Sequence, residues 1–182
     1  MKYFFLLPAS ILMTLLAYVL APVLPLFATL QLGLVNNAEK EAVEPRLPWW
    51  LSWFGTFDNS LLGDDGHKER WAGKSRYWQM AAWCARNSAY GWEQSVLAAN
   101  IKSYDRVSTT GNAWIKNRQN AVTGSYFCRV GDFWNYKLIK PLFGDTALML
   151  EFGWKLQGYA QGRETEGRAM YVFSIRLTAF NL

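Results

Sequence analysis

Histidine is nearly absent from this 182-residue chain, which has only His67, and cysteine is scarce, with only Cys84 and Cys128. One imidazole excludes a multi-histidine metal centre, and two thiols are too few for a disulfide scaffold. Charged residues make up 18% of the chain, below the ~25% of ordinary domains. Aromatic residues reach 16%, ten of them tryptophan, and this load excludes an intrinsically disordered chain. No P-loop, dinucleotide fingerprint or nucleophile elbow is present. No internal repeat or low-complexity tract occurs either. The length suits one domain plus extras, with room for a real core.

Charge is wholly missing between Tyr3 and Leu30, a run of 28 residues dominated by Leu, Ala, Phe and Val. A helix rises ~1.5 Å per residue, so about 20 apolar residues cross a ~30 Å hydrocarbon core. Residues 1–30 therefore read as an uncleaved transmembrane anchor, with Pro22 and Pro25 kinking or ending its helix. A cleaved signal peptide has a shorter apolar stretch of ~7–15 residues, and Pro22 after Ala21 is a poor cleavage context. A buried helix of a soluble domain is the remaining alternative. Lys2 before the run and Lys40 and Arg46 after it leave the orientation undecided under the positive-inside rule.

Residues 31–66 read as a tether with an interfacial aromatic segment. In LPWWLSWFGTF, the side chains of Trp49, Trp50, Trp53, Phe54 and Phe57 are dense. Tryptophan favours the headgroup zone, where its apolar body and its N–H both find partners. The alternative is a short aromatic cap on the domain core. Residues 1–66 hold three Lys/Arg and six Asp/Glu, whereas residues 67–182 hold sixteen and eight. A basic domain beside a bilayer gains about 1 kcal/mol per Lys or Arg at an anionic leaflet. Because no run of adjacent Lys or Arg appears, the favoured reading is an ordinary soluble surface with spread charge. The RRM signature is also absent, so nucleic acid is a disfavoured partner without being excluded.

Residues 67–182 read as a small α+β domain. Lys68 to Arg86 has helical spacing, with Trp71, Ser75, Trp78 and Ala82 forming a stripe expected to pack into the core. The period then changes to two. Tyr126, Cys128 and Val130 share one face of a strand, as do Trp134, Tyr136 and Leu138 of the next. Leu148, Leu150, Phe152 and Trp154 alternate in a third strand, and Tyr171, Phe173, Ile175 and Leu177 in a fourth. Such alternation predicts an antiparallel meander whose apolar face is buried against the tryptophan helix. Residues 102–119 add one or two weaker strands, and Gly158 to Gly167 reads as a polar hairpin loop. Cys84 and Cys128 read as small buried hydrophobes whose pairing only geometry decides.

The one compact polar constellation is Asp58, Asp64, Asp65 and His67. Oxygen ligands on a Gly-containing loop suit Ca²⁺ or another divalent cation, although the spacing is not that of an EF-hand. The ordinary reading is a turn whose Asp and Asn side chains bond their own backbone and cap helices. No catalytic residue and no other cofactor is expected.

Three stretches, LPWWLSWFGTFDNSLLGD (Leu47 to Asp64), RNSAYGW (Arg86 to Trp92) and FGWKLQG (Phe152 to Gly158), with the closing VFSIRL, resemble an uncharacterised family of tailed-bacteriophage proteins with a hydrophobic N-terminus. The chain departs from that pattern at Phe57 and Ser88, where the family tends to have proline. The resemblance implies a phage or prophage product made in a bacterial host, and carries no assigned activity. The expectation is a membrane-anchored accessory protein at the host inner membrane. Its partners would be the lipid bilayer and a protein of unknown identity. The alternatives are a virion or lysis component acting on the envelope and a metal-dependent hydrolase built on the Asp58–His67 stretch.

Overall fold

The computed structural model describes residues 2–35, 40–115, 123–144 and 146–179. The chain divides into two compact units, Met1–Val96 and Leu97–Leu182.

In the first unit the apolar run forms α1 (Lys2–Leu20), and the prolines that follow turn the chain into a short 3-10 turn at Leu24–Phe27. Tyr3, Ser10 and Ala17, seven residues apart, form the one buried stripe of α1. Its small residues allow close approach: Ala17, Ala21 and Leu24 join Phe54, Leu61 and Cys84 in the core of the unit. The residues expected as a tether contain secondary structure. They include most of an antiparallel hairpin, β1 (Thr29–Val35) and β2 (Lys40–Arg46), and a 3-10 helix at Trp49–Phe54 that starts after Pro48. Three short helices follow: α2 (Asp65–Arg70), α3 (Arg76–Arg86) and α4 (Tyr90–Ser95).

The helix expected over Lys68 to Arg86 is therefore two helices. Gly73 adopts φ +74°, a left-handed conformation that interrupts the right-handed run, and the phase of the tryptophan stripe is lost there. Trp78 and Ser75 lie exposed instead of entering the core. Ala81, Trp83 and Cys84 are the buried side of α3.

The second unit is built on a five-stranded antiparallel sheet in the order β4 (Val107–Gly111), β5 (Gly124–Val130), β6 (Phe133–Phe143), β7 (Thr146–Trp154) and β9 (Tyr171–Ala179). The α+β class and the predicted meander hold, with β4 added at its edge. The segment expected as a plain loop instead carries most of the short helix α5 (Gln157–Ala160) and the start of β8 (Gly167–Ala169), which pairs with β3 (Ala99–Ile101). Residues 116–119, where a weaker strand was also expected, lie outside the described residues.

The expected direction of the sheet is reversed for three of its strands. On β5 the predicted face is buried: Tyr126, Cys128 and Val130. On β6 the buried residues are Asn135, Lys137 and Ile139, and on β7 they include Ala147, Met149 and Glu151. Register places these residues together on one inner face (Cys128↔Asn135, Lys137↔Glu151, Ile139↔Met149), and α5 lies against its β4–β5 side, with Gln157 reaching Lys137. Tyr136, Leu138, Leu150 and Phe152 lie on the opposite, outward face, with Phe173, Ile175 and Leu177 on β9. The physical reason is that the inner polar groups satisfy one another. Lys137 lies 3.7 Å from Glu151 and donates to Gln157 Oε1 at 3.2 Å, while Tyr126 bonds Asn135 Oδ1 and Asn135 donates to the Phe152 carbonyl. Once paired, such groups can be buried at little cost.

Candidate functional site

The polar residues of the Asp58–His67 stretch are used to assemble the first unit. Asp64 is the N-cap of α2: its Oδ1 accepts the His67 backbone N–H at 2.7 Å. It also lies 3.6 Å from Arg86 of α3. Asp65 is exposed in the first turn of α2, where its charge complements the helix dipole. His67 is buried, its Nε2 donating to the Gln79 carbonyl at 2.9 Å and its ring edge-on to Trp83 at 5.1 Å. Burial holds its pKa below the ordinary histidine value, and Arg86 and Arg70 add to the fall against the opposing Gln79 carbonyl and Asp64. Asp58 is hydrogen-bonded to Tyr90, whose hydroxyl is pushed up to about 12 by burial and by that carboxylate.

The neighbouring motif residues act in the same way. Ser60 donates to Glu44, which also pairs with Lys68 at 3.1 Å. Burial of Glu44 raises its pKa, but the bonds from Ser60 and Lys68 outweigh this and hold the carboxyl below its usual value. The Asn59 carbonyl accepts from Thr56 at 3.1 Å and from Arg46 at 3.2 Å. Gly63 has φ +81°, and a Cβ there would meet the Trp83 ring at 2.5 Å. Among the described residues, no three His, Cys, Asp or Glu side chains come together in a metal-holding group. Cys84 and Cys128 are both buried free thiols, and burial pushes Cys84 up to about 12.

The other candidate is apolar. On α1 the flanks away from the docked stripe expose Phe4, Phe5, Leu12, Leu15 and Val19. α1 is long and apolar enough to cross a membrane, with a mean hydropathy of 2.0 and little of its surface buried. Of the aromatic segment, Trp49 is 85% exposed, Trp50, Trp53 and Phe57 are also exposed, and Phe54 is buried in the core. Phe27 meets Trp50 edge-on at 5.7 Å, which joins the end of the apolar run to the tryptophan segment. The hairpin adds Leu30, Leu32 and Val43, all exposed. Within the aromatic segment, Phe54 packs into the core while Trp49, Trp50, Trp53 and Phe57 face outward.

The Ser10–Glu93 contact was not legible in the sequence. Ser10 Oγ donates to Glu93 Oε1 at 3.2 Å and ties the middle of α1 to α4. Also unforeseen was the exposed Leu142–Phe143 tip between β6 and β7, although an apolar pair between Lys140 and Gly144 was a readable signal.

No match to the chain is found among curated proteins or among solved structures. The profile of a family of unknown function (DUF7338) covers residues 1–181, so nearly the whole chain, from the apolar helix to the last strand, belongs to that family.

Proposed function

We propose that the chain is a membrane-attached interaction module. α1 is its lipid-embedded element, and the exposed tryptophans of the first unit are its headgroup contacts. The observation that carries this reading is the breadth of the apolar surface. α1, the Trp49–Phe54 helix and the β1–β2 hairpin expose large apolar side chains within one unit. Monomeric soluble proteins rarely leave contiguous apolar patches above a few hundred Å² open to water. The resemblance to tailed-phage proteins supports a bacterial host membrane as the site of action. The basic balance of residues 67–182 favours an anionic leaflet. With the Asp58–His67 groups engaged in caps and core contacts, binding is favoured over catalysis, and the partner sought is a protein at that membrane.

Fractionation tests this reading. The full chain, expressed in bacterial cells, is expected to float with membranes and to stay there through washes with high salt and alkaline carbonate. Release into the carbonate supernatant would show a peripheral protein without a lipid-embedded helix, and would overturn the proposal.

A further inference from the structure

The outward face of the five-stranded sheet carries a second apolar surface, distinct in sequence from α1 and its neighbours. Cross-strand register aligns it in rows: Phe127, Tyr136, Phe152 and Phe173 in one, and Leu138, Leu150 and Ile175 in the next. Phe127 stacks on Trp134 with centroids 6.2 Å apart, and Phe152 meets Phe173 at 5.6 Å. The surface opens toward one corner. β5 begins opposite Ile139, so Lys140 to Phe143 of β6 run past it beside β7, and β7 pairs with β9. At this corner Phe143 is 70%, Leu177 63%, Ile175 61% and Leu142 46% exposed.

Charge decides what fits there. No acidic residue lies on the outward face among the described residues. Lys140 is exposed on that face at the apolar corner, and Arg129 is exposed on the same face further along β5, whereas Arg176 points to the inner side, where it bonds Met149 Sδ. Residues 97–182 carry eleven Lys/Arg against six Asp/Glu. A second copy would bring this cation-bearing face against itself, with no carboxylate on it among the described residues to complement Lys140 and Arg129. An anionic bilayer supplies both a hydrocarbon layer for Leu142 and Phe143 and headgroup phosphates for the cations. We propose that the outward face of this sheet, led by the Leu142–Phe143 tip, is a lipid-binding surface selective for anionic headgroups. It rests on the reading that the chain works at a membrane, and adds that the second unit also lies against the bilayer.

The test uses the full chain with Phe143→Cys carrying an environment-sensitive fluorophore, since Cys84 and Cys128 are buried. Vesicles of phosphatidylglycerol with phosphatidylethanolamine are compared with vesicles of phosphatidylcholine alone, and flotation is read on the same samples. The expected result is a blue-shifted label quenched by lipids brominated in the upper acyl chain. Quenching should be several-fold weaker on phosphatidylcholine, and Lys140→Gln should weaken it about fivefold on the anionic vesicles. A label at Glu164→Cys should stay in water. If the chain floats but the Phe143 label remains open to aqueous iodide, the sheet proposal fails and the α1 attachment stands. If the chain does not float on either vesicle, both fail. Shielding of the label without lipid, in a species of dimer size, would identify a second copy as the occupant and overturn the proposal. Removing the tip apolar groups (Leu142→Ser with Phe143→Ser) should abolish quenching at a Leu177→Cys label while leaving flotation intact, and unchanged quenching there would also count against it.

Discussion

Replacing Lys137 with methionine separates the two possible directions of the sheet. If the apolar rows pointed inward, Lys137 and Glu151 would form a surface ion pair worth about 0–1 kcal/mol. In the structure they are 3.7 Å apart on the inner face, with side chains only 11% and 9% exposed. Removing one partner of a buried pair leaves the other charge uncompensated, at a cost of about 3–5 kcal/mol. For a unit of this size, each kcal/mol lowers Tm by roughly 4–8 °C, so Lys137→Met or Glu151→Leu should lower the second unit's melting transition by at least about 12 °C. The double change removes both charges and fills the space with apolar atoms, so it should recover most of the loss, to within about 1 kcal/mol of the parent or above it. Urea unfolding in a mild detergent, followed by tryptophan fluorescence, reads all three variants. Single changes that each cost less than about 1 kcal/mol would refute the inward direction of the polar face.

Three further outcomes follow from named contacts. Gly91→Ala should destabilise the first unit by about 2 kcal/mol or more and lower its Tm, because the new Cβ would meet the Ser52 carbonyl oxygen at 2.0 Å. Acid should weaken the same unit in two stages. The unfolded chain protonates His67 as pH falls through about 6.5 while the buried imidazole resists, and the stabilisation of Glu44 is lost lower still, as pH falls through its depressed folded value. Tm measured between pH 7 and 5 should therefore fall with pH, and His67→Gln should flatten that limb; an unchanged slope would count against the histidine's part. Cysteines at Ser10 and Glu93 should be joined in membranes by a short bifunctional reagent, since α1 is held to α4 there. A spanning α1 would place Ser10 about 15 Å from its Leu20 end, near the bilayer midplane, and would leave the pair unlinked.

The sequence made α1 and the strand alternation legible because both depend on local periodicity, which burial on either side leaves unchanged. It could not reveal which face of each strand turns inward. On β7, Leu148, Leu150 and Phe152 alternate with Met149, Glu151 and Gly153, and apolar count alone selects the first set. The choice is made by long-range partners, since Glu151 needs Lys137 and Lys137 needs Gln157. The tryptophan stripe failed for a local reason, because Gly73 in a left-handed turn resets the helical phase. The Asp58–His67 constellation was readable as a set of residues, and its capping reading is the one the geometry realises at Asp64. That His67 would meet the carbonyl of Gln79, twelve residues away, has no sequence signal.

Depth of α1 in lipid is the measurement closest to the central claim. A fluorophore on Leu12→Cys, at a position 67% exposed on the outer flank of the helix, reports whether lipid covers that flank. In the full chain on bacterial-lipid vesicles it should be quenched by brominated acyl chains and shielded from iodide. A chain that stays monomeric without detergent, with the Leu12 label open to iodide and untouched by brominated lipid, would contradict the account.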